Sequence, residues 1–373
     1  MLIRKLTTLL LLITCSGCVP DVAWLPDSSG IVYTVTQWPF MSLEEDKNKK
    51  REEYTQLMHF DLKSKAVREI AKVKGNTIKI AIRPKTQHMA LIEFQKADIQ
   101  TSMQVVLVDM QGKVVHRSKT FSWGKLVTDS FTDNCFQLFW SPDGSKLLIC
   151  DTLICDTQMA IYDVKAGSIL SLGQMWPMIF GSTPVIPDGQ GFLASDKNSA
   201  LFLVTWEGAK KPIEISPELL AGRPGQYIFS ADAYCWSRWE GTTAVSMWRG
   251  KQARIDTVKK KATVRDVDSS VWSFKGNEVL QNYQFPNSRI RIVVLFKHSI
   301  RDFNDAGLQT CYVELHGPGP DQWKTLTPII SHCVIIPSPN QEFAALRYID
   351  DKAEKIMILN KKGETIDLIE VGK

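Results

Sequence analysis

The sequence lacks long apolar runs beyond its first residues. A membrane-spanning helix is predicted by about 18 unbroken apolar residues, and no later stretch is nearly that long. It also lacks the Gly-x-Ser-x-Gly, His-Glu-x-x-His and P-loop motifs of common catalytic sites. Neither sign of charge is in large excess, since the formal net charge is +5, and this argues against nucleic acid as a partner. We therefore predict no catalytic residue, no metal and no cofactor.

The N-terminal segment is arranged like an export signal. Arg4 and Lys5 form a short basic stretch, the run Leu6–Ile13 is almost entirely apolar, and small residues lead to Cys18. The segment ends in Ser-Gly-Cys and is similar to a bacterial lipoprotein signal, although Cys15 stands where that pattern usually has Leu. The resemblance implies that the signal, residues 1–17, is removed and that Cys18 becomes the lipidated first residue.

This interpretation predicts a protein of the bacterial cell envelope, anchored to the outer membrane and facing the periplasm. Only residues 18–20 would form the tether, because Trp24 and Pro26 already belong to a repeated unit of the folded domain. Two alternatives stay open. One is ordinary cleavage near this point, which would give a soluble periplasmic or secreted protein; the other is a thiol or metal pair formed by Cys15 and Cys18.

Six cysteines follow Cys18, and their pairing is open. In an exported protein they can form disulfides, and several connectivities are compatible with the sequence. The other interpretation is buried free thiols in strands, which suits Cys235 and Cys311 because each lies in an apolar run. The six are Cys135, Cys150, Cys155, Cys235, Cys311 and Cys333.

A unit of about fifty residues occurs seven times in the chain. It is clearest at Phe139–Cys150, FWSPDGSKLLIC, where a Pro-Asp-Gly turn joins two apolar stretches. Proline presets the first central residue of such a turn, and Asp, Asn or Gly suits the next. The turn positions of the seven units are Pro26, Pro84, Pro142, Pro187, Arg238, Pro286 and Pro339.

Most units contain a second hairpin, as in MAIYDVKAGSILSL, with a polar turn that contains Lys or Gly. Two hairpins in succession predict a four-stranded antiparallel unit, which is one blade of a β-propeller. The pattern resembles the TolB-like, WD40-like propeller repeats, whose signature is WSPDG followed by an apolar strand and a later Tyr and Asp. The residues that carry this resemblance are Trp140, Ser141, Pro142, Asp143, Gly144, Tyr162 and Asp163.

The resemblance implies an all-β, seven-bladed propeller that forms a single domain over residues 21–373. Six or eight blades are the alternatives, because VWSF at Val271 also resembles a strand that enters a turn. The first unit holds all four of its strands and the chain ends on a strand, Ile366–Val371, so we expect the ring to close without a borrowed strand. The family implies an envelope location in many cases but no single activity.

The connections of this fold differ between the two ends of the blades. The turns within hairpins are short, whereas the connections at the opposite end are long, and loops of that length are often functional. The predicted long connections are Gln37–Tyr54, Gln95–Met103, Thr120–Asn134, Gln174–Thr183, Ser216–Asp232 and Lys297–Gln309.

Aromatic and charged side chains occur together in these long connections, and such side chains are favoured at binding hot spots. We predict that they form a binding rim, although most of the aromatic side chains could instead pack under their own loops. The candidate residues are Trp38, Trp123, Trp176, Arg223, Tyr227, His298, Arg301, Asp302, Asp305 and His332.

Two classes of function follow from these features. The first is a non-enzymatic scaffold, tethered to the membrane, whose long-loop rim binds an envelope protein. The second is an enzyme of the hydrolase or lyase type acting on a carbohydrate or other small substrate in the central funnel, or a sensor that binds a small ligand there without chemistry. Sequence spacing does not separate them, because propeller sites combine residues from distant blades.

Overall fold

The computed structural model describes the strands and short turns of the chain, and the longer connections lie outside the described residues. The described residues are 22–36, 54–74, 79–96, 101–122, 136–151, 158–178, 183–196, 198, 200–216, 237–248, 251–266, 273–274, 277–286, 288, 290–296, 311–317, 323–330, 333–349 and 353–371. Within these ranges all regular structure is β-strand, and no helix there is long and apolar enough to span a membrane.

Thirty strands occur in the described ranges, numbered here in chain order. The first nine are β1 (Val22–Trp24), β2 (Gly30–Thr36), β3 (Tyr54–Asp61), β4 (Val67–Lys74), β5 (Ala81–Ile82), β6 (Met89–Lys96), β7 (Thr101–Val108), β8 (Val114–Arg117) and β9 (Phe121–Ser122). The next seven are β10 (Phe136–Trp140), β11 (Lys146–Asp151), β12 (Gln158–Asp163), β13 (Ser168–Pro177), β14 (Gly191–Asp196), β15 (Leu201–Thr205) and β16 (Lys210–Pro212).

The remaining strands follow the same alternation of apolar runs and short turns. They are β17 (Glu214–Ile215), β18 (Ser237–Glu240), β19 (Thr243–Trp248), β20 (Lys251–Asp256), β21 (Lys261–Asp266), β22 (Ser273–Phe274), β23 (Asn277–Gln284), β24 (Arg291–Phe296), β25 (Cys311–His316), β26 (Trp323–Ile330), β27 (Cys333–Pro337), β28 (Phe343–Ile349), β29 (Glu354–Asn360) and β30 (Thr365–Glu370).

The sheets repeat one antiparallel pattern in which each strand pairs with the next strand along the chain, except that β9 pairs with β7 and β17 pairs in parallel with β21. The sheets β1-β2-β3-β4 and β27-β28-β29-β30 have four strands each, and β5 to β8 have the same order with β9 beside β7. Strands β10 to β16 form one seven-stranded sheet. Strands β18 to β21 and β23 to β26 each gain a fifth strand, β17 and β22 respectively. The predicted all-β class and the four-stranded antiparallel unit are therefore confirmed.

The sequence repeats map onto these strands in order. Repeat one is β1–β4, repeat two β5–β9, repeat three β10–β13, repeat four β14–β16 with the end of β13, repeat five β17–β21, repeat six β22–β26 and repeat seven β27–β30. The described residues divide into two compact units, which lie within Gly17–Gln174 and Met175–Val371. The predicted number of seven blades and the single domain stay predictions.

The central strands are buried on both faces, which explains their unbroken apolar sequences. In β6, Met89 and Leu91 belong to an apolar cluster shared with repeat one, whereas Ala90 and Ile92 belong to a cluster shared with repeat three. Successive side chains of a strand point to opposite faces. The sheet of repeat two therefore buries both of its faces, one against repeat one and the other against repeat three.

The WSPDG signature links neighbouring repeats through its tryptophan. The indole Nε1 of Trp140 donates to the carbonyl oxygen of Ala81 in β5, at 3.0 Å. The guanidinium of Arg83 lies 5.5 Å from the centre of the Trp140 ring, and its Nε donates to the carbonyl oxygen of Gly144 at 2.7 Å. One turn thus fixes repeat three against the first strand of repeat two.

The predicted turn position of repeat five, Arg238, is wrong. Arg238 lies within β18, and the turn falls at Gly241 and Thr242, because Glu240 pairs with Thr243 across the hairpin. Trp239 takes the role that Trp140 has in repeat three, since its Nε1 donates to the carbonyl oxygen of Thr183 at 3.1 Å. Trp239 is therefore the tryptophan of repeat five that contacts the preceding repeat in this way.

The second turn contains a residue with positive φ in every repeat except repeat six, whose second turn lies outside the described residues, and in repeats two and three this residue is glycine. Gly112 has φ 78° and Gly167 has φ 63°. A Cβ at Gly112 would collide with the carbonyl oxygen of Ile70 in repeat one, whereas a Cβ at Gly167 would have no atom within 4 Å. The two positions share a backbone conformation but differ in how closely a neighbouring repeat approaches.

We predict that Gly112→Ala destabilises the protein more than Gly167→Ala does. Gly167→Ala lowers the free energy of unfolding by about 1–2 kcal/mol, because alanine disfavours positive φ. Gly112→Ala has the same cost and also crowds the carbonyl of Ile70, which lowers the free energy of unfolding by roughly a further 1–3 kcal/mol. Urea unfolding midpoints of the two variants measure the difference, and equal midpoints would contradict the close approach at Gly112.

Candidate functional site in the long connections

The two turns of a repeat lie at the same end of its sheet and bond to each other. In repeat one, the backbone N–H of Leu62 donates to the carbonyl oxygen of Ser29 at 2.9 Å. In repeat seven, the backbone N–H of Lys361 donates to the backbone carbonyl oxygen of Glu342 at 2.9 Å. In repeat three, the N–H of Val164 donates to the carbonyl oxygen of Ser145 at 3.1 Å. The prediction that both hairpin turns occupy one end is confirmed in these repeats.

The acids of the repeat signature serve these turns. The carboxylate of Asp143 accepts hydrogen bonds from the Ser141 hydroxyl at 2.6 Å and from the Ser145 backbone N–H at 3.0 Å. These hydrogen bonds lower the pKa of Asp143 to about 2, and the bond from the Ser141 hydroxyl is the largest cause. Asp163 accepts from the backbone N–H of Ala166 at 2.8 Å in the other turn. Both acids therefore stabilise turns.

The opposite end of the sheets gives rise to long connections, as the sequence predicts. Strand β2 ends at Thr36 and β3 begins at Tyr54, and β24 ends at Phe296 while β25 begins at Cys311. Strands β9 and β10 are separated by residues 123–135, and β17 and β18 by residues 216–236. The residues between these strands lie outside the described part of the chain, apart from Ser216.

Two of the predicted long connections are shorter than expected. Strands β6 and β7 include Gln95, Lys96 and Thr101–Met103, so only residues 97–100 separate them. Strand β13 continues to Pro177, although a loop is predicted from Gln174. The pairing of β12 with β13 shifts register beside Gly173, which has φ 77°. This bulge bends the strand, and its last three residues pair with β14.

Trp176 is the rim candidate that the structure describes. It lies in β13 rather than in a loop, is partly buried, and stands opposite Ser195 of β14. The other rim candidates and the predicted lipidation site lie outside the described residues, so their roles stay predictions. They are Cys18, Trp38, Trp123, Arg223, Tyr227, His298, Arg301, Asp302, Asp305 and His332.

A buried ion pair supports the long-connection end of repeat seven. The Nε of Arg347 donates to Oε1 of Glu354 at 2.5 Å, and the Arg347 side chain is 1% exposed. Removing one member of such a buried pair costs about 3–5 kcal/mol, because the other charge is left without compensation. Neither residue is among the predicted site residues, and the sequence signal of the pair is an arginine within the apolar run FAALRYI.

The cysteines and histidines are placed in different environments. Cys150 is buried in β11, Cys333 is partly buried in β27, and Cys311 begins β25. Cys135, Cys155 and Cys235 lie outside the described residues. His116 contacts the hydroxyl of Tyr162 at 2.5 Å, and His316 contacts Glu314 at 2.8 Å. Within the described ranges, no three His, Cys, Asp or Glu side chains form a group that could hold a metal ion.

His59 is buried near the turns of repeat one. Its Nε2 has no hydrogen-bond partner among the described residues. Burial is the largest cause of the lowering of its pKa from the ordinary 6.5, and the charge of Arg68 lowers the pKa further. Asp61 and Asp27 act in the opposite direction and raise it. The folded protein thus favours a neutral imidazole at this position.

We predict that His59 makes the protein less stable in acid. An unfolded histidine binds a proton near pH 6.5, whereas the folded site resists protonation, so stability falls as the pH drops below that value. When the pH is lowered from about 7.5 to about 5.5, the urea unfolding midpoint should fall less for His59→Gln than for the wild type. An equal fall in both proteins would show that another group causes the effect.

Comparisons with known proteins bear on the fold. No protein-family model matches the chain, and no curated protein is similar to it at the level required for a match. Prolyl oligopeptidase B from Galerina marginata is similar in structure, with TM-score 0.51, 10% identity and coverage of 99% of this chain and 54% of that chain. This chain therefore spans about half the length of that oligopeptidase.

Two further solved structures are more distant. The Swd1 β-propeller domain from Myceliophteria thermophila has TM-score 0.42 and 12% identity, with coverage of 79% of this chain and 86% of that domain. TolB from Acinetobacter baumannii has TM-score 0.39 and 12% identity, with coverage of 86% and 76%. The repeated antiparallel sheets confirm the predicted resemblance to β-propeller repeats at the level of the fold, and the match to the oligopeptidase shows a likeness of fold alone.

Proposed function

We propose that the protein is an exported lipoprotein with a seven-bladed propeller, which acts as a non-enzymatic scaffold and binds an envelope protein through its long connections. The observation that carries the proposal is the difference between the two ends of the repeats. Short turns at one end are closed by backbone hydrogen bonds, whereas long connections with aromatic and charged residues begin at the other. Binding residues commonly occur on such connections, because a rigid scaffold positions them.

The direction of β1 relates the proposed anchor to these connections. Strand β1 runs from Val22 towards the turn at Leu25–Ser29, and Val22 pairs with Tyr33 of β2. The chain therefore enters repeat one at the end opposite to its turns, which is the end where the connection between Thr36 and Tyr54 begins. A lipid on Cys18 would lie close to that connection, since the tether spans at most about 3.6 Å per residue. The proposed partner is accordingly a membrane protein or a protein held at the membrane.

The anchor makes a chemical prediction. Growth with an alkyne-tagged fatty acid should label the wild-type protein, because the proposed lipid is attached at Cys18. The Cys18→Ser variant should carry no label, whereas Cys15→Ser should be labelled like the wild type and serves as the matched control. Labelling of Cys18→Ser, confirmed by the mass of the N-terminal peptide, would show that the proposed lipidation site is wrong.

The partner surface is tested by site-specific photocrosslinking in cells. A photoreactive residue at position Trp38, Trp123 or Tyr227 should capture the same envelope protein, because these positions lie in different long connections of one proposed rim. A photoreactive residue in place of Lys165, at a turn of repeat three, is the control and should not capture that protein. Capture of different proteins from the three positions, or of the same protein from Lys165, would contradict a common binding rim.

A further inference from the structure

Repeats four and five carry a concentration of exposed lysines at their turns. We call this set, together with Val258, the lysine surface; its lysines are Lys210, Lys211, Lys259, Lys260 and Lys261, all exposed. Lys210 and Lys211 directly follow the second turn of repeat four, and Val258 to Lys260 lie in the second turn of repeat five. Both groups therefore belong to the turn end of their sheets.

One strand pairing brings the two groups of lysines together. Strand β17 pairs with β21 in parallel, with Glu214 opposite Lys261, and the backbone N–H of Glu214 donates to the carbonyl oxygen of Lys260 at 2.8 Å. Lys211 precedes Glu214 by three residues, so its Cα is within about 11 Å of that of Glu214 along the chain. Because the pairing is parallel, the segment before Glu214 extends past the start of β21 towards the turn.

Val258 is held outwards within this surface. Its side chain is 68% exposed, the largest exposure among the large hydrophobic residues in the described ranges. The turn is fixed on both sides of it. The carboxylate of Asp256 accepts from the backbone N–H groups of Val258 at 3.1 Å and of Lys259 at 2.9 Å, and the Thr257 hydroxyl donates to the carbonyl oxygen of Thr242 at 2.8 Å. An apolar side chain is thus displayed beside three consecutive lysines.

The acids near these lysines leave positive charge in excess. The Nζ of Lys259 lies 3.6 Å from Oδ2 of Asp256, and the Nζ of Lys261 lies 3.9 Å from Oε1 of Glu214. The lysine side chains of these pairs are 78% and 50% exposed, and solvent screens such contacts strongly. Glu207, in the turn before Lys210, is a third acid, and the first turns of the two repeats add Asp188 and Glu240, of which Glu240 is paired with Arg254 at 3.0 Å. The five lysines and Arg254 are six basic side chains, which outnumber these five acids.

We propose that the lysine surface is a docking site for an acidic segment of a partner protein, with an apolar residue of that segment packed on Val258. Charge complementarity favours an acidic occupant. A membrane surface is disfavoured as the occupant because binding to lipid scales with the buried apolar area, and the lysine surface itself offers one exposed valine. The site is separate from the long connections, so its failure and that of the scaffold proposal are distinguishable.

The test uses the purified full chain and a short fluorescent peptide of glutamates with one central leucine. Fluorescence anisotropy should show binding that weakens as salt rises, because exposed charges attract the peptide. Replacing Lys259, Lys260 and Lys261 together by Gln should weaken binding by about tenfold or more. Val258→Ser should weaken binding of this peptide but not of an otherwise identical peptide with serine in place of leucine.

Matched controls keep the result specific. Lys165→Gln changes one exposed lysine at a turn of repeat three and should leave the affinity unchanged, and equal unfolding midpoints of the variants should show that the fold is retained. Vesicles of phosphatidylglycerol and phosphatidylethanolamine test the membrane as an occupant. The proposal is overturned if the peptide does not bind, if Lys165→Gln weakens binding as much as the triple variant does, or if only the vesicles bind.

Discussion

Burial of central strands on both faces is the constraint on which the rest of the structure depends. In β6, neighbouring residues such as Leu91 and Ile92 pack into different apolar clusters, so the sheet needs a partner on each side. A repeat of this kind cannot bury its apolar surface alone, and stacking of neighbouring repeats supplies the core. Most side chains at the strand centres are therefore apolar, and the buried polar residues that occur there, such as Glu314 and Arg347, need a partner within the protein.

The two ends use their polar groups differently. At the turn end, carboxylates such as those of Asp143 and Asp163 accept backbone N–H groups, so the acids that make the repeat recognisable have a structural task. At the other end, the described strands stop and long connections begin, and the buried Arg347–Glu354 pair stabilises one pair of strands there. The sequence signature therefore marks the fold and gives no indication of a reaction.

The sequence predicted the strands and turns well, because proline-containing turns and apolar runs are local signals. The sequence misplaced the turn of repeat five because two tryptophans three residues apart, Trp236 and Trp239, could each precede the turn. The tertiary contact of Trp239 with Thr183 of the preceding repeat shows that Trp239 does. Strand β17 is only two residues long and pairs with a strand distant in sequence, so it carries no periodic pattern. The candidate rim was predictable only as a set of loops, since the relative positions of residues from distant repeats depend on tertiary packing.

Two lysines at the turn end adopt a backbone conformation that usually requires glycine. The position of positive φ in the second turn is glycine in repeats two, three, four and seven, but Lys65 and Lys260 occupy it in repeats one and five, with φ 61° and 53°. A residue with a side chain costs about 1 kcal/mol in this conformation. Lys65 has a local compensation, since its ammonium lies 5.8 Å from the centre of the Phe60 ring. For Lys260 no side-chain contact of this kind occurs among the described residues. Its exposed side chain belongs instead to the lysine surface, and the proposed docking there would account for a lysine where glycine would be more stable.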